Sequence, residues 1–364
     1  MKLGIVGLPN SGKTTLYNAI MQTEMETSNY PFTTTSPNIG RALVPDERLD
    51  KLNEMYKAKA LTPATVEMVD IAGLAKGASH GEGMGNQFLA HIRECDAIVH
   101  VVRCFVDDNV IHIYDSVDPV RDIETVDLEL IFADLEMIER RLVKVQKTAR
   151  TDKSFQREAD ILQLIKQTLE NGKAARSLTW DNPEELKLVD SFTLITQKPV
   201  LYAANVAENE LGEIAPGSHL EALKKYAESE GASFYISCAK MEAEIAMLDP
   251  DEKQMFLEEL GLAESGLDRL INAGYEMLGL ISFLTAGEKE VRAWTVRKNT
   301  KAPQAAGKIH SDLERGFIRA EVVAFTDLME SGSYNAAKEK GLVRVEGKEY
   351  IVQDGDVMLI RFNV

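Results

Sequence analysis

The stretch Gly7-Leu8-Pro9-Asn10-Ser11-Gly12-Lys13-Thr14 constrains this 364-residue chain more than any other. It follows a short apolar run, Lys2 to Val6, and precedes Leu16, Ala19 and Ile20 at helical spacing. The order is therefore strand, loop, helix. In that setting the spacing G-x-x-x-x-G-K-[ST] makes a phosphate cradle. Its glycines let backbone N–H groups approach phosphates, and the helix N-terminus adds partial positive charge. Lys13 is expected to reach the β and γ oxygens, and the Thr14 hydroxyl to ligate Mg²⁺. Asn10, Ser11, Gly12, Lys13, Thr14 and Thr15 are the expected nucleotide contacts here, with Lys13 the catalytic cation.

Further short apolar runs, Val66 to Val69, Ala97 to Val102, Pro199 to Ala204 and Ser233 to Ile236, are bounded by polar or turn residues, as buried parallel strands are. Together they predict an α/β domain built on a doubly wound, mostly parallel sheet. Between Arg121 and Thr196 the period changes. Leu128, Ile131, Leu135, Ile138, Leu142 and Val145 form one helical stripe, and Phe155, Ala159, Leu162, Ile165 and Leu169 form a second after the polar break at 150–153. Two antiparallel helices packed as a coiled-coil hairpin are the expected insertion. From about Ile281, candidate strands at Val291 to Val296, Arg319 to Phe325, Val343 to Val345, Tyr350 to Val352 and Val357 to Phe362, with a helix near Ile309 to Arg315, predict a sheet-rich α+β domain. The expected division is 1–120 with 197–280, then 121–196, then 281–364.

A formal charge of −17 excludes the whole surface as a nucleic-acid platform, and DNA is not an expected partner. One stretch runs the other way. From Lys289 to Arg319 eight basic residues stand against three acidic ones. Arg292, Arg297, Lys298, Lys308 and Arg315, with Trp294 and Phe317 interleaved, fit contact with an RNA backbone and some stacking. The three cysteines have no ligand-like spacing, and the N-terminus lacks the pattern of a signal peptide. No stretch is long and apolar enough to span a bilayer, so the expected location is the cytoplasm, with no membrane partner.

A magnesium site beside such a cradle needs a carboxylate at the end of a second strand, and Asp70 in Val69-Asp70-Ile71-Ala72-Gly73 answers to it, with Gly73 open to a γ-phosphate. The hydroxyl-rich loop Pro31 to Asn38 offers threonines to the same metal, and spacing alone does not choose among them. The glycine-dense segment Gly77 to Gly85 reads as a switch loop. His80 and His112 are candidate water-positioning groups. Two loops, Asn205-Val206-Ala207-Glu208 and Ser237-Cys238-Ala239-Lys240, stand at strand C-terminal ends, where a base would lie.

The order of these five motifs resembles the translation-factor class of P-loop proteins. There the base loop reads Asn-Lys-x-Asp, and its carboxylate accepts from guanine N1 and N2. This chain has Val206 and Glu208 instead, and adenine offers that carboxylate no such donors. Asn205 can still meet the purine edge, and Val206 can meet the base through its backbone. Leu74 stands where many relatives carry a water-orienting glutamine.

The combination GLPNSGKTT, NYPFTTTSPN, DIAGLAKGASHGEGMGNQFL, NVAE and KAPQAAGKIHSDLERGFIRAEV resembles the Obg-like ATPase family of the YchF type over essentially the whole chain. The resemblance implies a P-loop NTPase of OBG type, a C-terminal TGS-like (ubiquitin-like) domain, ATP preferred over GTP, and the ribosome with its RNA as partner. It implies Thr34 as the switch threonine on Mg²⁺, and Asn10 as a catalytic asparagine that helps hold K⁺. Two rival readings keep the fold: a GTPase switch, and a non-catalytic ribosome-binding regulator that senses ATP.

Overall fold

The computed structural model describes residues 1–25, 38–71, 84–211, 214–259, 262 and 264–363. Thr34, Gly73, Leu74 and His80 lie outside the described residues, as do 31–37 of the hydroxyl-rich loop and 77–83 of the expected switch loop.

The strands are β1 (Lys2–Val6), β2 (Asn38–Leu43), β3 (Leu61–Thr62), β4 (Thr65–Asp70), β5 (Ala97–Arg103), β6 (Val200–Asn205), β7 (Ser233–Ser237), β8 (Leu280–Ala286), β9 (Val291–Arg297), β10 (Phe317–Ala324), β11 (Arg344–Glu346) and β12 (Asp356–Phe362). Two compact units divide them, one formed by 1–41 with 67–270 and the other by 42–66 with 271–364.

The first unit is built on a sheet of order β2-β4-β1-β5-β6-β7, in which β1 runs parallel to β4 and β5, and β6 runs parallel to β5 and β7. Every residue of β5 and β6 is buried, as expected of apolar runs covered on both faces. The helix Lys13–Met25 leaves the loop after β1 and buries Leu16, Ala19 and Ile20.

The helical insertion is present as expected. The helix Pro119–Ala149 begins at Pro119, with the Asp118 carboxylate accepting from Arg121 N, a favourable N-cap followed by a preset φ. It packs against the helix Gln156–Glu170 through Ile131, Ile138, Leu142 and Val145 on one side and Ala159, Leu162, Ile165 and Leu169 on the other. The two ends of the stripe depart from expectation. Leu128 is 44% exposed and Phe155 38% exposed, because each lies beyond the stretch where the helices face one another.

The second unit has the sheet order β11-β10-β12-β8-β9-β3. The hairpin β8–β9 is antiparallel, β12 lies parallel to β8 and antiparallel to β10, and the helix Ala302–Ile309 covers one face with Ala302, Ala305 and Ala306. That is the ubiquitin-like arrangement of the C-terminal domain. The expected helix near Ile309 to Arg315 is two helices, Ala302–Ile309 and Ser311–Arg315, separated at His310, whose Nδ1 accepts from Asp312 N at 3.2 Å. Tyr350 to Val352 forms only an isolated bridge, Lys301 with Ile351.

Residues 42–66 pack with this second unit, although in sequence they sit inside the stretch expected to be nucleotide domain. Their partners are distant in sequence. Leu61 pairs with Val291, Thr62 Oγ1 donates to Glu290 Oε1 at 2.7 Å, and Arg48 Nη1 donates to Asp354 Oδ2 at 2.7 Å. The helix Gly266–Met277 crosses the division, and beyond it Tyr275 Oη bonds Ser282 Oγ at 2.9 Å within the second unit.

Candidate nucleotide site

The loop after β1 is shaped by backbone that only particular residues accept. Gly7 has φ +152° and Gly12 φ +98°; a Cβ on Gly7 would lie 2.3 Å from Val101 O, and one on Gly12 2.1 Å from Asn205 Nδ2. Asn10, at φ 61°, takes the left-handed conformation that asparagine tolerates better than most side chains. Its Nδ2 donates to Ile111 O at 3.0 Å.

Lys13 is buried, and its Nζ donates to Leu8 O at 2.7 Å. Burial pulls its pKa down from 10.5 to about 8, with the Asp70 carboxylate pulling the other way. Asp70 answers in kind: burial raises its pKa, while Lys13 and the Thr14 hydroxyl hold it down. Thr14 Oγ1 lies 3.5 Å from Asp70 Oδ2. A hydroxyl and a carboxylate side by side at the open end of a phosphate cradle are hard oxygen donors suited to Mg²⁺. Among the described residues no three His, Cys, Asp or Glu side chains gather as a metal cluster, so an ion here would complete its shell from phosphate and water. With its nitrogen bonded to Ile111 O, the Asn10 side chain keeps its amide oxygen as an acceptor.

At the other end, Asn205 closes β6. Its Nδ2 donates to Ser11 O at 2.9 Å and its Oδ1 accepts from Ala239 N at 2.9 Å. Each end of the amide thus makes a bond inside the chain, fastening the loops after β6 and β7 to the loop after β1. The expected contact of Asn205 with a purine edge would fall to the second N–H of Nδ2 or the second lone pair of Oδ1. The Val206 side chain is buried and its N–H donates to Ser237 O at 2.9 Å, while Glu208 is exposed at the start of the turn Glu208–Glu210.

Between these ends lies a cavity of about 510 Å³. Asn10, Gly12, Lys13, Thr14 and Thr15 line one side, and Asn205, Val206, Glu208, Cys238 and Ala239 another. Ser237 is 2% exposed and lies beneath the lining. Sequence reasoning missed the third wall, made by Phe105, Val106, Asp107 and Val110. Its signal was its place at the C-terminal end of a parallel strand, where ligands of open α/β sheets collect.

His112 is buried behind this wall. Its Nε2 lies 2.8 Å from Asp122 Oδ2, and its Nδ1 accepts from Tyr114 N at 3.1 Å. Accepting at Nδ1 puts the proton on Nε2, so in this arrangement both ring nitrogens bond within the chain, and His112 ties its loop to the first turn of the helix Pro119–Ala149.

In the second unit Arg297, Lys298, Lys308 and Arg315 are exposed, and Arg315 is paired with Asp312. Arg292 lies over the Trp294 ring at 4.0 Å and reaches Glu290 at 3.7 Å. Phe317, expected to stack on bases, is 4% exposed and belongs to the core.

Residues 2–145 match the family model described as 50S ribosome-binding GTPase, and residues 280–363 match the YchF-GTPase C-terminal family, described as a protein of unknown function (DUF933). The chain is 55% identical over 362 residues to the protein named ribosome-binding ATPase YchF of Bacillus subtilis, covering 99% of each. The chain belongs to the YchF family. Obg-like ATPase 1 of rice is 43% identical over 368 residues, covering all of this chain and 92% of its own. A solved YchF structure, the Schizosaccharomyces pombe YchF GTPase, superposes with a TM-score of 0.86 at 37% identity, covering 99% of this chain and 97% of that one. The YchF fold thus extends over both compact units. Among the described residues no helix is long and apolar enough to cross a membrane.

Proposed function

We propose that this YchF protein is a cytoplasmic ATPase that hydrolyses ATP, in preference to GTP, to ADP and phosphate, and acts as a nucleotide-controlled switch on the ribosome. The observation that carries the reading is the continuous cavity between Lys13 and Thr14 at one end and Asn205 to Glu208 at the other, sized for a nucleoside triphosphate. The names of the Bacillus subtilis and rice relatives support ATP as the nucleotide, and the former supports the ribosome as partner.

In this reading the first unit, 1–41 with 67–270, handles the nucleotide, 121–196 within it form the helical insertion, and 281–364 dock. Lys13 leaves the Leu8 carbonyl and neutralises the β and γ oxygens as charge builds on them. The backbone N–H groups from Asn10 to Thr15 cradle the phosphates, and Gly73 meets the γ-phosphate. Mg²⁺, when bound, supplies further charge neutralisation; Thr14, Thr34 and Asp70, the last through water, would hold it, and Asn10 would hold K⁺ beside it. Val206 and Ala239 lie against the base, with Glu208, Ser237 and Cys238 around it. Arg292, Arg297, Lys298, Lys308 and Arg315 meet ribosomal RNA; neither DNA nor a membrane is a partner.

A second reading, a GTPase switch, is favoured by the description of the matched N-terminal family and by the name of the fission-yeast structure. Phosphate release measured with ATP and with GTP, each with and without purified ribosomes, decides between them. Faster turnover and tighter binding with ATP support the proposal, equal or better use of GTP replaces it with the second reading, and no turnover with either leaves a regulator that only binds.

A further inference from the structure

Strand β5 ends on Arg103, which belongs to none of the nucleotide motifs. It is 4% exposed, and its nitrogens all point into one loop: Nε donates to Phe105 O at 3.2 Å, Nη1 to Val110 O at 2.9 Å and Nη2 to Asp107 O at 3.2 Å. The guanidinium also lies over the Phe105 ring, 4.5 Å from its centre.

The residues so held are those of the third wall of the cavity, Phe105, Val106, Asp107 and Val110. Such a wall has little reason to stand by itself. Val106 is 69% exposed and Ile111 76% exposed, so the loop carries apolar side chains at its surface instead of burying them in a core. Among the described residues it is also fastened at its ends, by Cys104 N to Asn205 O at 2.8 Å, by His219 Nδ1 to Cys104 O at 3.3 Å and by Asn10 Nδ2 to Ile111 O at 3.0 Å. Arg103 and Asn205 are register partners across β5 and β6. These two neighbouring side chains therefore fix the walls of the site: Asn205 joins the phosphate loop to the base loops, and Arg103 shapes the loop opposite.

We propose that Arg103 is the positioning residue for the nucleoside half of the site, holding the 105–110 wall in the shape that distinguishes a nucleoside triphosphate from a bare polyphosphate. The proposal rests on the nucleotide reading of this cavity and adds what sets its selectivity. A guanidinium suits the task because its donors lie in one rigid plane and converge on three carbonyls at once, whereas an ammonium on a flexible stem is a single point of attachment. The phosphate end meets this loop through Asn10 Nδ2 on Ile111 O, while Lys13, Thr14 and the loop amides stand on β1 and its own helix, so its dependence on Arg103 is slight.

The test compares the wild-type chain with Arg103→Met and Arg103→Lys, titrated in Mg²⁺ buffer with ATP and with inorganic tripolyphosphate. In Arg103→Met the dissociation constant and KM for ATP rise by about tenfold or more at little-changed kcat, while tripolyphosphate binds within roughly twofold of wild type. Retained tripolyphosphate binding shows that the variant is folded. Arg103→Lys falls between the two. Equal weakening toward both ligands, or unchanged ATP binding in Arg103→Met, overturns the assignment. A wild-type chain that holds ATP no tighter than tripolyphosphate removes the nucleotide reading itself, and the proposal with it.

Discussion

Asn205 Nδ2 donates to Ser11 O at 2.9 Å while its Oδ1 accepts from Ala239 N, joining segments of the chain that are 194 and 34 residues away. One buried amide therefore holds the loops after β1, β6 and β7 at their spacing. Replacing it by Ala leaves the Ser11 carbonyl and the Ala239 N–H without these partners, which should cost about 2–4 kcal/mol. Urea denaturation and nucleotide titration of Asn205→Ala check this: stability and affinity fall together. A variant as stable as wild type would show that the latch contributes nothing.

Lys13 gives the site a pH dependence of defined sign. Its pKa in the folded chain is about 8, below the ordinary 10.5, so between those values the unfolded chain binds more protons and the ligand-free protein gains stability as pH rises. Triphosphate binding runs the opposite way, because phosphate oxygens favour the charged ammonium. Affinity is therefore greatest below about 8 and declines as pH rises through it, by up to about tenfold per unit until the pKa of the complex is reached. Lys13→Met should flatten that profile, and Lys13→Ala should lower turnover by on the order of a hundredfold or more. A profile for wild type that stays flat from pH 7 to roughly 9.5 would contradict the assignment.

Much of this site was legible before any fold was known, and the rest was not for physical reasons. The phosphate loop and the β5 and β6 runs declare themselves locally, through glycine spacing and unbroken burial. The wall at 105–110 does not, since Arg103 holds it through backbone carbonyls that every residue possesses. Residues 42–66 went to the wrong neighbourhood because their deciding bond, Arg48 to Asp354, spans 306 residues and leaves no periodic trace. Phe317 read as a stacking residue because its face could not be assigned from alternation. The register of β10 against β12 shifts between Phe317 and Arg319, and a shift of one residue exchanges inside for outside.

Arg93 and Asp134 make a second tie, from the helix that follows the expected switch segment to the helical insertion. Arg93 Nη1 lies 2.9 Å from Asp134 Oδ1, while Asp134 Oδ2 accepts from Thr196 N at 2.7 Å and Thr196 Oγ1 at 2.8 Å. The Asp134 side chain is fully buried. Asp134→Ala leaves a largely buried guanidinium with the Thr193 and Ala133 carbonyls but no carboxylate, strands the Thr196 N–H, and should destabilise the chain by about 3 kcal/mol. Asp134→Asn keeps one acceptor and should lose less. Equal losses in the two variants, read from urea midpoints, would mean that the charge accounts for the whole tie and that a neutral acceptor contributes nothing.

Docking through the second unit makes the last prediction, and its logic is electrostatic. A chain of net charge −17 approaches a ribosome against repulsion unless a local face reverses the sign. Arg297 and Lys298 are exposed at the end of β9, and Lys308 and Arg315 are exposed on the two helices that follow. Reversing Arg297 and Lys298 to Glu should lower cosedimentation with ribosomes severalfold and make the fall of log affinity with log salt shallower, by roughly one unit for each phosphate that the variant no longer neutralises. ATP turnover without ribosomes should be unchanged, because neither side chain lines the nucleotide cavity. If the double reversal binds ribosomes with the wild-type affinity and salt slope, the RNA contact lies on another surface and the basic stretch from Lys289 to Arg319 is only a solvated face.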